Sequence, residues 1–243
     1  MLFRGNKDLS EEGIGFGVPL LKFGQKTIFP GSGGCIEVKK YADRTDVKLD
    51  YDFNLAEMIK VKGSMIESRT FYNIKDLLSW IHRKNPFLRG LHTQGSIMLR
   101  RAFTVETKFE RVASAGLASV EYNICTDGII HISADFSQIK KEGCTEVIIM
   151  NEQGANYFDT YCDSKGTMLI GNAIGSWQEN TFGEVSFIDP YDGLTFTLSK
   201  ISGSKMFYGR ELVEKRLAWS GIAYSLSPGI QNFAYDLRIG MNK

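Results

Sequence analysis

Three stretches of this 243-residue chain gather side chains able to hold or transform a small polar molecule. Asn151, Glu152, Gln153 and Asn156 directly follow the apolar run VIIM, so a strand end presents carboxylate and amide groups of the kind that orient hydroxyls. Trp177 lies in the polar, glycine-rich stretch GNAIGSWQEN, two residues before Glu179, and Trp219 follows Glu211 and Glu214. An indole offers an apolar face and a carboxylate a hydrogen-bond acceptor, a combination that suits a pyranose ring. Glycoside chemistry needs in addition two carboxyl groups about 5 to 9 Å apart. Glu152, Glu179 and Glu211 are the candidates for that acid–base work, and Asn151, Trp177 and Trp219 for holding the ligand. No spacing in the chain selects a pair of carboxylates. Each feature also has a plainer role, as a hairpin turn or as a Trp plugging a sheet edge.

A second set of candidates is basic. Residues 77–105 contain no Asp or Glu but include Arg83, Lys84, Arg89, Arg100 and Arg101, with His82 and His92. Arg89, His92 and Arg100 would take a phosphate or a sugar acid; a solvated helix end is the simpler account of the same charges. The chain as a whole is balanced, with 29 Lys plus Arg against 28 Asp plus Glu. That balance, without repeated aromatic–basic interleaving, argues against nucleic acid as a partner.

Other chemistries find no motif. The segment GIGFG has G-x-G-x-G rather than G-x-G-x-x-G, and Val18-Pro19 follows where a helix should start, so it reads as a turn or bulge before a strand. GQKT is not a phosphate-cradling lysine motif, and FPGSGG (29–34) reads as a loop. No nucleophile elbow occurs. The three His and four Cys are scattered singly, so no metal site and no cofactor are expected. Single cysteines, no apolar run at MLFRGNKDLSEEG and no stretch approaching 18 apolar residues predict a cytoplasmic protein with no membrane partner.

The elements that must position these residues are mostly strands. Asn73 to Lys84 predicts a helix, with Asn73 as cap and Ile74, Leu77, Leu78 and Ile81 on one face; Asn54 to Lys62 fits two further helical turns. From Ile97 to Phe109 the alternation predicts one long strand. Residues 118–136 form a hairpin about Asp127-Gly128. A three-residue loop, Thr126-Asp127-Gly128, aligns Val120 with Ala134, Tyr122 with Ile132 and Ile124 with Ile130, which keeps the apolar stripe on one face. Strands follow at 145–150, 156–162, 167–171, 184–189, 194–201, 205–209, 218–226 and 232–240, with earlier ones at 16–23, 26–29, 35–40 and 45–52. Leu212 to Trp219 fits a helical turn nearly as well as a strand. Short strands on this beat, with turns such as DPYDG and SPG between them, predict an all-β, mainly antiparallel fold. The expected architecture is a large two-sheet β-sandwich over residues 1–243, a single domain with one or two short helices in the first third.

The runs VEYNICTDGIIHISADF (120–136), EVSFIDPYDGLTFTLS (184–199) and GREL…AWSGIAYSL (209–226) share the rhythm of a large supersandwich, and in this the chain resembles galactose mutarotase-like proteins. The resemblance implies a sugar or sugar derivative bound on a concave sheet face. In the mutarotases, histidines and a carboxylate carry out acid–base ring opening; His82, His92 and His131 do not align with that arrangement. The competing expectation is a noncatalytic binding or assembly protein whose edge strands pair with another subunit. The 16 Phe and 10 Tyr would supply the interface, with a homodimer the default.

Overall fold

The computed structural model describes residues 3–4, 7–8, 15–24, 26–62, 69–71, 73–75, 77–78, 81, 94–95, 98–99, 102–155, 157–213 and 216–241. It is dominated by strands: β1 (Phe3–Arg4), β2 (Lys7–Asp8), β3 (Gly15–Phe23), β4 (Lys26–Lys40), β5 (Arg44–Lys62), β6 (Thr104–Arg111), β7 (Leu117–Cys125), β8 (Ile129–Asp135), β9 (Glu146–Gly154), β10 (Thr160–Asp163), β11 (Met168–Ile170), β12 (Gln178–Asn180), β13 (Glu184–Ile188), β14 (Leu194–Ser199), β15 (Lys205–Val213), β16 (Arg216–Leu226) and β17 (Asn232–Met241). β1 and β2 pair with each other. The rest form one antiparallel ladder in the order β11-β10-β13-β14-β17-β8-β7-β5-β4-β3-β9-β16-β15-β12, with β6 added to β5.

A ladder this long buries both its halves only by folding back on itself. The long hairpin β4–β5 makes the bend. Its register shifts between Phe29 and Pro30, between Pro30 and Ser32, and between Gly33 and Ile36, where Pro30 has no N–H to give the ladder. The strands from β11 to β7 then form a first layer and those from β3 to β12 a second. Between them lie Val120, Ile132, Phe196 and Leu237 of the first layer and Leu21, Ile149, Met206 and Ile222 of the second, all buried.

Tyrosines cross this core. The Tyr122 hydroxyl in β7 donates to the Phe16 carbonyl in β3 at 2.9 Å. Tyr235 in β17 donates to Asn151 Oδ1 in β9 at 2.7 Å. Tyr224 in β16 reaches back to the Ser199 carbonyl at the end of β14, at 2.6 Å. Tyr161 of β10 stacks on Tyr208 of β15, with ring centroids 3.9 Å apart. Asn151 Oδ1 also accepts the Gly17 N–H at 3.0 Å, so one buried amide ties β3, β9 and β17 together.

The 118–136 hairpin has the expected register, Val120 with Ala134, Tyr122 with Ile132 and Ile124 with Ile130. Gly128 supplies its positive φ of 87°. GIGFG ends in a bulge, with a register shift between Phe16 and Val18. Four expectations change. Asn54–Lys62 is strand, because β6 pairs it from Leu55 to Lys62 and β4 pairs Leu55 and Ala56 from the other side, and ladder bonds override helix propensity. The strand expected from Ile97 starts only at Thr104; residues 98, 99 and 102 are helical, and Phe103 N–H bonds the Leu99 carbonyl at 3.0 Å. A spacing of four is even and also one helical turn, and Leu99 uses it to pack with Phe71, Leu78 and Phe103. Helical residues over 69–81 start before Asn73. FPGSGG is not a loop but the bulged middle of β4. Leu212 to Trp219 resolves as the end of a bulged hairpin of β15 and β16.

Replacing Asn151 by Ala leaves the Gly17 N–H and the Tyr235 hydroxyl buried without their acceptor. The expected loss is about 2 to 5 kcal/mol by urea denaturation; a loss below about 1 kcal/mol would contradict the tie. Burial, the largest cause, lifts the Tyr122, Tyr161, Tyr224 and Tyr235 hydroxyls above the usual tyrosine range. The unfolded chain releases these protons from about pH 10, whereas the folded chain keeps them. Stability is therefore full below about pH 10 and falls as pH rises beyond it. Urea midpoints measured across that range should decrease, and Tyr235→Phe should flatten the decrease.

Candidate functional site

Along β9 the side chains alternate between two environments. Val147, Ile149 and Asn151 belong to the core between the layers, whereas Ile148, Met150 and Glu152 lie on the outward face of the second layer. That outward face is itself apolar near its centre: Leu20, Met150 and Ala223 are buried there with Phe29, Ile148, Trp177 and Phe207 against them. Further along the strands it turns polar. Register places Gly209, Gly221, Glu152 and Gly15 side by side across β15, β16, β9 and β3. The next row holds Glu211, Trp219 and Gly154.

Glycine neighbours on both sides leave the Glu152 carboxylate in a trough, fully buried. Gly221 and Gly209 have steric reasons. A Cβ at Gly221 would collide with the Asn151 carbonyl and stand 2.7 Å from Glu152 Cγ; one at Gly209 would stand 2.7 Å from Trp177 Cα, because the Ser176–Trp177 backbone crosses directly over it. Trp177 is thereby pressed onto Met150 and Ala223, half-buried. Trp219 sits diagonally from Glu152, and its Nε1 is buried with no hydrogen-bond partner. A bulge between Glu211 and Leu212 ends the regular ladder beside it. Glu179 in β12 is exposed, opposite Phe207.

On the opposite side of the same strands, Arg210, Ser220 and Gln153 form a buried polar row. Arg210 donates from Nε to Ser220 Oγ at 3.1 Å and from Nη2 to the Ala155 carbonyl at 2.6 Å. Burial pulls its pKa down from the ordinary arginine value, against the pull of Asp159. Its guanidinium fixes the backbone where β9 ends and so holds the strand carrying Glu152.

Four of the residues expected from sequence thus share one face, Glu152, Glu179, Trp177 and Trp219, and Glu211 is in register opposite Trp219. Asn151 is on the core side and serves the tie described above. Arg89, His92 and Arg100 lie outside the described residues. Sequence reasoning missed the glycines that make the trough. Their signal was parity, since Gly209, Gly221 and Gly154 each stand two residues from Glu211, Trp219 and Glu152 respectively. No group of three or more His, Cys, Asp or Glu suited to a metal ion occurs among the described residues, and no helix among them is long and apolar enough to cross a membrane.

No family model matches the sequence, and neither does any curated protein. Among solved structures, the chain is similar to the alpha-N-acetylgalactosaminidase NagBb from Bifidobacterium bifidum in complex with GalNAc. The TM-score is 0.48 at 7% identity, over 92% of this chain and 30% of that one. It is also similar to a galactose mutarotase-like protein from Lactobacillus casei, with TM-score 0.33 at 9% identity, over 95% of this chain and 84% of that one. The chain spans less than a third of the first protein's length. The resemblance is weak and at the level of the fold.

Gly209→Ala should push the Ser176–Trp177 segment off the sheet. The expected result is a red-shifted tryptophan emission and a loss of about 1 to 3 kcal/mol; an unchanged spectrum would contradict the close crossing.

Proposed function

We propose that the chain binds a sugar or sugar derivative on the outward face of the second layer, over Trp219 and Trp177. The observation that carries this reading is the gathering of two indoles and the carboxylates Glu152 and Glu179 on one face, around a row of glycines. The half-buried indoles supply the apolar face. Among the described cysteines, Cys125, Cys144 and Cys162 are free, which supports a reducing compartment.

A homo-oligomer is the second reading, favoured by the edge strand β11. Met168 and Ile170 are 61% and 60% exposed on a strand with a free side. Light scattering should then show a dimer that Met168→Lys with Ile170→Lys dissociates; a monomeric wild type overturns this reading.

The sugar reading is tested by thermal shift and tryptophan fluorescence titration with neutral sugars, sugar phosphates and uronic acids. At least one class should raise the melting temperature with concentration. Trp219→Ala should weaken that binding at least about tenfold while the fold persists. Binding unaffected by both Trp177→Ala and Trp219→Ala would overturn it.

A further inference from the structure

The first layer also has an outward face, and its chemistry is different. Register builds three polar rows across it. Glu37, Lys48, Glu121, Ser133 and Ala234 stand side by side on β4, β5, β7, β8 and β17. Lys39, Asp46, Asn123, His131 and Asp236 form the next row on the same strands, and Asp50, Ser119, Asp135 and Asn232 another. The short side chains Ser119, Ser133 and Ala234 sit in the middle and longer ones surround them. The result is a depression of about 540 Å³, lined by Lys48, Ser119, Glu121, Asp135 and Asn232 among others. That volume falls in the range of small-molecule sites. A smaller one of about 140 Å³ continues from it toward Tyr41 and shares Lys48 and Glu121 as its boundary.

Carboxylates outnumber cations along this groove: Lys39, Arg44 and Lys48 stand with Glu37, Asp46, Asp50, Glu121, Asp135 and Asp236. Lys39 pairs with Glu37 at 2.7 Å, Arg44 with Asp46 at 3.1 Å and Lys48 with Glu121 at 3.5 Å, while His131 Nδ1 shares a hydrogen bond with Asp236 Oδ1 at 2.6 Å. A polyanion meets an excess of carboxylates here and is disfavoured. A neutral ligand carrying both donors and acceptors can use the carboxylates, the Asn123 and Asn232 amides and the serine hydroxyls together. The Lys48–Glu121 pair is exposed and weak, so a ligand crossing the boundary displaces it at small cost. At the far end Tyr41 is half exposed, with the Arg44 guanidinium 4.8 Å from its ring centroid. The other ring face offers a stacking surface for a C–H-rich sugar face. From β4 to β17 the groove crosses five strands, a span of about 19 Å, which is long for one sugar ring and suits several linked ones.

We propose that this groove is a second carbohydrate site, one that takes a neutral oligosaccharide laid across the strands. One unit lies against Tyr41, and others hydrogen-bond Asn123, Glu121, Asp135 and Asn232. It is separate from the proposed sugar site over Trp219 and does not depend on it.

The experiment uses the isotope-labelled wild-type chain and a panel of neutral hexasaccharides of glucose, galactose, mannose, xylose and N-acetylglucosamine, with the monosaccharides and a uronic-acid hexamer as comparisons. At least one neutral hexasaccharide should shift the amide resonances of residues 119–123, 131–135 and 232–236, and should bind more tightly than its monosaccharide. Tyr41→Ala and Asn232→Ala should each weaken it about 3- to 10-fold, whereas Trp219→Ala should leave it unchanged. Both substituted positions are exposed, and the wild-type resonance map stands without any variant. The proposal is overturned if no neutral hexasaccharide moves those resonances, if only the uronic-acid hexamer does, or if the binding follows Trp219 instead of Tyr41.

Discussion

The sandwich is held at a fixed spacing by tyrosines that belong to both layers at once. An apolar ring fills the core, but its hydroxyl must find an acceptor, and for three of them it lies on the other layer: Phe16 for Tyr122, Asn151 for Tyr235 and Ser199 for Tyr224. A strand that slipped by one residue in its ladder would turn its ring outward and leave the acceptor on the other layer buried without its partner. The registry of the layers and the alternation within each strand are therefore one constraint. Everything placed on the outward faces depends on it.

The consequence for function is a division of labour within single strands. On β9, Asn151 faces inward and ties three strands, while the next residue, Glu152, faces outward into the glycine trough. On β15, Arg210 anchors the inner side by hydrogen bonds to Ser220 and Ala155, while Gly209 on the outer side lets the Ser176–Trp177 backbone pass over it. The stiff, fully bonded inner row positions the outer one. In the first layer, Ile130, Ile132 and Ala134 of β8 go to the core and His131, Ser133 and Asp135 to the polar groove.

This arrangement explains how much the sequence disclosed. The 118–136 hairpin was readable to the residue, because its partners are adjacent in the chain and only one register keeps the apolar stripe together. Most of the strand beat after residue 145 was readable for the same local reason, but β9 runs on through Gly154 past the expected end at 150, β10 begins only at Thr160, and β12 was not expected. The long strands β4 and β5 were not: Phe29-Pro30-Gly31 looks like a loop, and only pairing on either side keeps it in the ladder. Leu99 and Phe103 were ambiguous because a spacing of four satisfies both periods. As for the site, the types Glu152, Trp177 and Trp219 were visible, but their meeting rests on pairing β9 with β16, about 70 residues further along the chain, and no local pattern encodes that. The groove residues were in plain view as the polar half of the same alternation; nothing in one dimension marks Ser119, Ser133 and Ala234 as neighbours.

The central claim is that a sugar is held on the outward face of the second layer. Hydrogen exchange of the intact chain, with and without a saturating sugar, tests it most directly, because backbone protection reports location whatever the ligand's chemistry. The account predicts added protection in residues 175–179, 209–213 and 216–221, with the inner tie at Asn151 and Tyr235 unchanged. Protection confined to other strands, or none while the sugar is demonstrably bound, would contradict it.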